Sequence, residues 1–305
     1  METDRNTATI FVSIASYRDP FLPFTIRSAL AQASHPERLT FGICWQADDS
    51  ESLDDWIADP RFRIRRYPYQ SSLGYGWSRA EIQKLYAGED YHLLIDSHTW
   101  FAEGWDDNLI NQLEEKPSDK PLLTTSSPPF FVDDSEKVSI PWAGTEWDGV
   151  PVMRCELIPP VGWIDIQMSV ERKSEEHQKT PLVCCNFVFT HGRWIREVPE
   201  DPAMINAGHE AALSLRTYTH GYDIYLPDDI QIWHLDYDCY PNGKRHKVWE
   251  AKTDKWQEEN TTIMIERMHI LFFGKGNPDK LGRYQLGTSR TADEWAHEAG
   301  LELKI

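Results

Sequence analysis

The chain has 305 residues, 40% hydrophobic and 26% charged, which excludes wholesale disorder, collagen-like repeats and a coiled coil. Lys and Arg number 31 against 49 Asp and Glu, a formal net charge of −18. So acidic a chain repels phosphate backbones and anionic bilayers, so neither nucleic acid nor a membrane surface is expected as a partner.

No apolar run approaches the roughly 20 residues that a bilayer span needs. The opening METDRNTATIF has no basic stretch ahead of an apolar one, so no signal peptide is read there. Five cysteines (Cys44, Cys155, Cys184, Cys185, Cys239) are sparse and lack metal spacing. Free thiols in a reducing cytosol are the expectation.

In chain order, Ala8 to Ala15 (ATIFVSIA) reads as a strand buried on both faces. Asp19-Pro20 reads as N-cap and first residue of a helix carrying Leu22, Ile26, Ala29 and Leu30 on one face. Leu39 to Gln46 is a second strand and Ser50 to Ala58 a short acidic helix. A third, half-exposed strand alternates Phe62 and Ile64 with Arg61, Arg63 and Arg65, the arginines forming a solvated face paired with acids. Gly74 to Tyr86 begins as a loop and becomes a helix, and Tyr91 to Ile95 is a fourth strand.

This alternation predicts an α/β fold with a doubly wound, mostly parallel sheet and ligands at the carboxyl ends of its strands. Pro117 to Pro181, rich in Pro and Ser, reads as a long loop region. Leu182 to Phe189 reads as a buried strand, His209 to Thr219 as a helix and Ile230 to Leu235 as a short strand. Glu258 to Phe273 reads as a helix with Ile263, Ile265, Met268 and Leu271 as its apolar positions. One continuous unit is expected over 1–305, with a nucleotide-binding half (1–116) and an acceptor-side elaboration (117–305).

The sharpest chemical signal is Leu93-Leu94-Ile95-Asp96-Ser97-His98. An apolar strand ending in Asp-x-His sends both side chains the same way, and a carboxylate and an imidazole can share one divalent ion. The plain alternative is a turn-capping Asp96 and a surface His98. In Ile232-Trp233-His234-Leu235-Asp236, His234 is either a third ligand or an edge histidine bonded to backbone. Gly74-Tyr75-Gly76-Trp77-Ser78-Arg79 stands before a helix, where glycines let backbone approach a ligand and Arg79 pairs with phosphate; an ordinary loop explains it as well. Glu210, in the first turn of its helix, faces either a substrate hydroxyl or only the helix dipole.

Several segments together resemble glycosyltransferase family 60: IFVSIASYRDPFLPFTI, PERLTFGICWQ, GYGWSRAEIQKLYAGEDYHLLIDSHTWFAEGWDDNLI, REVPEDPAMINAGHEAALSLRTYTHGYDIYLP, the IWH segment and LGTSRTADEWAHEAGLEL. That family comprises N-acetylglucosaminyltransferases acting on hydroxyproline of a cytosolic ubiquitin-ligase subunit, and microbial relatives. The resemblance implies a GT-A fold, a UDP-sugar donor, Mn2+ (or Mg2+) dependence, retention at the anomeric carbon, and a peptide, protein or glycan acceptor. It implies Asp96, His98 and His234 as metal ligands, with Asp96 and Glu210 as catalytic residues. Ala15, Ser16, Tyr17, Arg18, Gln46, Trp77 and Arg79 are implied at the donor, Trp77 and Trp233 as candidates to stack on sugar or base. His209 departs from the Glu or Gly expected of the family.

Two other readings stand beside this one. Glycoside hydrolysis needs two carboxylates flanking the bond, for which Glu103, Asp106 and Asp107 are the nearest cluster. A sugar-nucleotide or glycan-binding module without turnover would keep the fold and lose the chemistry.

Overall fold

The computed structural model describes residues 7–133, 135–140, 150–158, 163–170, 177–205, 208–236 and 245–303. In chain order the first half comprises β1 (Ile10–Tyr17), α1 (Leu22–Gln32), β2 (Leu39–Ala47), α2 (Asp54–Ile57), β3 (Phe62–Pro68), α3 (Tyr75–Gln83), β4 (Tyr91–Asp96), β5 (Thr99–Phe101) and α4 (Trp105–Glu114). The second half adds β6 (Pro121–Thr124), β7 (Phe131–Val132), β8 (Val138–Ser139), β9 (Pro151–Ile158), β10 (Trp163–Val170), β11 (Phe187–His191), α5 (Trp194–Glu197), α6 (His209–Thr219), β12 (Asp223–Tyr225), β13 (Ile232–His234), α7 (Asp254–Phe273) and α8 (Ala292–Glu298).

Seven strands form the main sheet in the order β12-β6-β11-β4-β1-β2-β3. All neighbours are parallel except at β11, which runs antiparallel to both β4 and β6. The apolar run of β1 is explained by its two covered faces. Ile10, Val12 and Ile14 pack with α1 and α4, whereas Phe11 packs with Ile82 of α3 and Trp194 of α5. Strand period two divides the run cleanly between those layers. A further core joins α6, α7 and α8 through Leu215, Met264, Met268, Leu271 and Trp295. Arg63 and Arg65 of β3, and Arg61 just before it, pair with acids as expected: Arg61 with Asp59, Arg63 with Glu89 and Arg65 with Glu81.

The chain runs from β1 outward to β2 and β3, then crosses back to β4 on the other side of β1. That reversal opens a crevice at the carboxyl ends of β1 and β4, where doubly wound sheets take their ligands. Ala15 and Asp96 lie side by side there in register.

Several expectations need correction. The region Pro117 to Pro181 holds β6, a paired strand of the main sheet, and the antiparallel hairpin β9–β10. The alternation Met153-Arg154-Cys155-Glu156-Leu157 is a period-two signal that a Pro- and Ser-rich background hides. Leu182 to Cys185 is buried as predicted but not a strand, pairing beginning only at Phe187. Helix α7 starts four residues early, at Asp254, because the Thr253 hydroxyl accepts the Trp256 N–H as N-cap. Its inward face is Met264, Met268 and Leu271, while Ile263 is 47% exposed. Asp19 does not cap α1, which starts at Leu22; its Oδ1 accepts the Phe21 N–H and its Oδ2 is committed elsewhere.

Candidate active site

Asp96 is the last residue of β4, and Ser97-His98 turn the chain into β5. Strand β13 then pairs antiparallel with β5, setting His234 opposite Thr99. This pairing across 136 residues of sequence brings His98 Nε2 within 2.9 Å of His234 Nε2. Asp96 Oδ2 lies 3.1 Å from His234 Nε2 and 3.8 Å from His98 Nε2. Adjacent ligands on an octahedral ion with bonds of roughly 2.1 Å lie roughly 3 Å apart. The three atoms are thus spaced so that they could hold one divalent cation between them.

The hydrogen bonding around the imidazoles supports that use. Asp19 Oδ2 accepts from His98 Nδ1 at 2.6 Å and Asp236 Oδ1 from His234 Nδ1 at 2.9 Å. A carboxylate only accepts, so both Nδ1 atoms carry hydrogen and the two Nε2 atoms face each other beside Asp96. Carboxylate–histidine pairs of this kind orient metal ligands and make them more basic. Burial opposes charge on His234, yet its bonds to Asp236 and Asp96 raise its pKa to about 9. Burial likewise opposes ionisation of Asp96, but His234, His98 and Arg245 hold its carboxyl well below the usual range. Asp19 and Asp236 escaped the sequence reading; Asp236 follows His234 by two, a spacing that could have pointed to it. We expect Asp19→Asn to weaken Mn2+ binding about 10- to 100-fold in a calorimetric titration, with little change in the fold. Unchanged Mn2+ affinity would separate Asp19 from the metal site.

Two cavities flank the triad. The first, of about 240 Å³, is lined by Ala15, Tyr17, Gln46, the start of α3 (Gly74, Tyr75, Ser78, Arg79) and residues 245–249. The second, of about 710 Å³, is lined by Met153, Cys184, Cys185, Asn186, His209, Glu210, His234 and Asp236 among others. Tyr75, Arg79, Asp96, Arg245 and Trp249 belong to both walls.

Arg79 Nη2 donates to the Cys185 carbonyl at 3.0 Å and lies 3.5 Å from Asp96 Oδ1. Burial works against its charge, but Cys185, Asp96, Glu200 and Glu210 push its pKa upward, so it remains a cation. Gln46 Nε2 donates to the Ser16 carbonyl at 3.1 Å. The Ser16 side chain is fully buried, and its Oγ has no hydrogen-bond partner among the described residues. Arg18 has a positive φ of 48° and stacks over the Tyr69 ring, its Nη1 3.3 Å from His246 Nδ1. Trp77 packs edge-on against Tyr67, and Trp233 packs tilted against Trp100; neither belongs to the residues lining the two cavities.

The glycines of the Gly-Tyr-Gly segment serve a contact other than the one expected. A Cβ on Gly74, whose φ is +100°, would lie 2.5 Å from the Ile205 carbonyl oxygen, and one on Gly76 2.2 Å from that of Asp201. They admit the backbone of residues 201–205, and Gly74 also lines the smaller cavity. Glu210 Oε1 accepts the Cys185 N–H at 2.6 Å while its residue lines the larger cavity. His209 is accounted for by Glu200, a buried carboxylate whose Oε2 lies 2.6 Å from His209 Nε2. Burial disfavours the Glu200 charge, and the His209, Arg79 and Arg216 side chains offset it. The hydrolase cluster dissolves: Asp106 is buried against Arg38 and lines neither cavity.

A family profile described as "Glycosyltransferase (GlcNAc)" matches residues 9–59 and 54–304. The chain belongs to this family. No curated protein sequence matches the chain. The crystal structure of GalNAc-T7 with UDP, GalNAc and Mn2+ is similar, with a TM-score of 0.63 and 14% identity over 97% of this chain and 57% of that one. At that identity the likeness establishes the GT-A fold, and the chain spans a little over half of GalNAc-T7. TarS 1-349 of S. aureus gives a TM-score of 0.47 and 11% identity over 90% of this chain and 77% of that one. Among the described residues, no helix is long and apolar enough to cross a membrane.

Proposed function

We propose that this glycosyltransferase is a metal-dependent, retaining enzyme. In this reading it moves N-acetylglucosamine from UDP-GlcNAc to a hydroxyl of a peptide, protein or glycan. The observation that carries the reading is the convergence of Asp96, His98 and His234 between two cavities that share Arg79 and Arg245. The family profile supports the sugar, and the family 60 resemblance supports a cytosolic acceptor such as hydroxyproline. Cys44, Cys155, Cys184 and Cys185 are free thiols, in keeping with a reducing compartment; Cys239 lies outside the described residues.

In this account Ala15, Tyr17 and Gln46 hold uridine in the smaller cavity, Ser16 and Arg18 belong to the same strand end without lining it, and Trp77 of α3 braces Tyr67. The donor half is then 1–116 and the acceptor half 117–305, although the main sheet draws strands from both. A Mn2+ or Mg2+ ion on the triad would supply positive charge against the diphosphate as the glycosidic bond breaks. Arg79 adds a fixed guanidinium at the start of α3, where the helix N-terminus also favours phosphate. Glu210 orients the acceptor hydroxyl from the larger cavity. Front-face attack needs no protein nucleophile; the Cys184 and Cys185 thiols fit that role poorly, because burial pushes their pKa values up.

The test is UDP release from a panel of UDP-sugars in Mn2+, repeated with excess chelator. UDP-GlcNAc should be turned over fastest, and chelator should abolish the signal. Absence of release and of UDP binding with any divalent metal would contradict the proposal.

A further inference from the structure

We infer that the Tyr75 hydroxyl is a catalytic hydrogen-bond donor to the departing diphosphate oxygen. This rests on the reading of the two cavities as donor and acceptor sites. Tyr75 belongs to the wall between them, with Arg79, Asp96, Arg245 and Trp249. Of these five side chains it alone offers a neutral O–H. Among the described residues, no hydrogen bond to that hydroxyl is found, and the side chain is half-buried.

The backbone around Tyr75 is built to hold it there. Its own N–H donates to the Ile205 carbonyl at 3.2 Å, and the Gly76 N–H donates to that of Met204 at 2.9 Å. The flanking glycines leave no room for a Cβ against the 201–205 backbone, so the position is clamped on both sides. The Arg79 guanidinium carbon lies 5.7 Å from the ring centroid, fixing the ring beside the cation expected at the diphosphate. Burial raises the phenol's pKa; Arg245 and Arg79 pull it down while Asp96 and Glu210 push it up, the net shift being upward. The group therefore stays protonated at neutral pH and remains a donor.

The step balances without any further reactant. The bond between the anomeric carbon and the β-phosphate oxygen breaks, and its electron pair stays on that oxygen. The acceptor oxygen forms the new bond to the anomeric carbon on the same face, and its proton passes to the departing phosphate. Tyr75 keeps its own proton throughout and stabilises the charge where it develops.

Tyr75→Phe removes one oxygen and leaves the ring, the clamp and the cation contact in place. We expect kcat for UDP-GlcNAc turnover to fall about 100-fold, the scale of losing one such donor. The Kd of UDP with Mn2+ and the melting temperature should stay near those of the parent chain. A kcat within about threefold of the parent, or a loss matched in UDP affinity, overturns the role. A parent chain that binds UDP but transfers no sugar overturns the transferase reading and this role with it. A parent chain that transfers, with the variant equally fast, overturns this role alone.

Discussion

Asp96→Asn is expected to lower metal-dependent turnover by at least about 1,000-fold, because it removes the only anionic ligand of the triad. The change is isosteric, and the amide can still meet the His234 ring nitrogen now 3.1 Å from Oδ2. The melting temperature should therefore shift by only a few degrees while Mn2+ binding is lost. Arg79 and Arg245, which both act on the Asp96 charge, would then carry less compensation, so UDP affinity without metal should be retained or rise. The measurement is initial-rate UDP release alongside a thermal melt. An active variant with undiminished metal dependence would remove Asp96 from the metal site.

Arg38→Met is expected to have the largest effect on stability, about 3–5 kcal/mol, because it strands a buried carboxylate. Asp106 is completely buried; its Oδ2 accepts from Arg38 Nη2 at 2.8 Å and its two oxygens accept the Ser34 and His35 N–H groups. Asp107 adds a second contact to the same guanidinium, from a half-exposed position. At the scale of domains this large, the loss corresponds to a drop of roughly 5–15 °C in melting temperature. Activity of the molecules that remain folded should be unchanged, since none of these residues lines either cavity. The double variant with Asp106→Asn should recover part of the loss, because the amide is neutral. A melting temperature equal to that of the parent would mean that the pair contributes nothing net.

Much of the first half of the fold was legible because a doubly covered parallel sheet writes itself in unbroken apolar runs. The strands IFVSIA and LLID needed no partner to be seen. Asp96 and His98 were legible for the same reason, since the Asp-x-His step follows directly from such a run. His234 was visible as a histidine in a strand, but its role depended on β5, a three-residue strand too short to announce itself. Asp19 was misread because its sequence neighbourhood suits an N-cap, and only folding brings His98 against it. His209 looked anomalous in sequence and is ordinary in space, being the partner of a buried carboxylate nine residues away. Tyr75 was hidden between two glycines whose purpose is set by a loop some 130 residues further on.

The most direct test of the account is a crystal of the chain grown with UDP and Mn2+, measured for anomalous scattering. The account predicts one manganese peak bonded to Asp96 Oδ2, His98 Nε2 and His234 Nε2. Diphosphate oxygens of UDP and water should fill the remaining positions, with the uracil in the cavity lined by Ala15, Tyr17 and Gln46. Manganese elsewhere, or UDP held in the other cavity with the triad uninvolved, would contradict it.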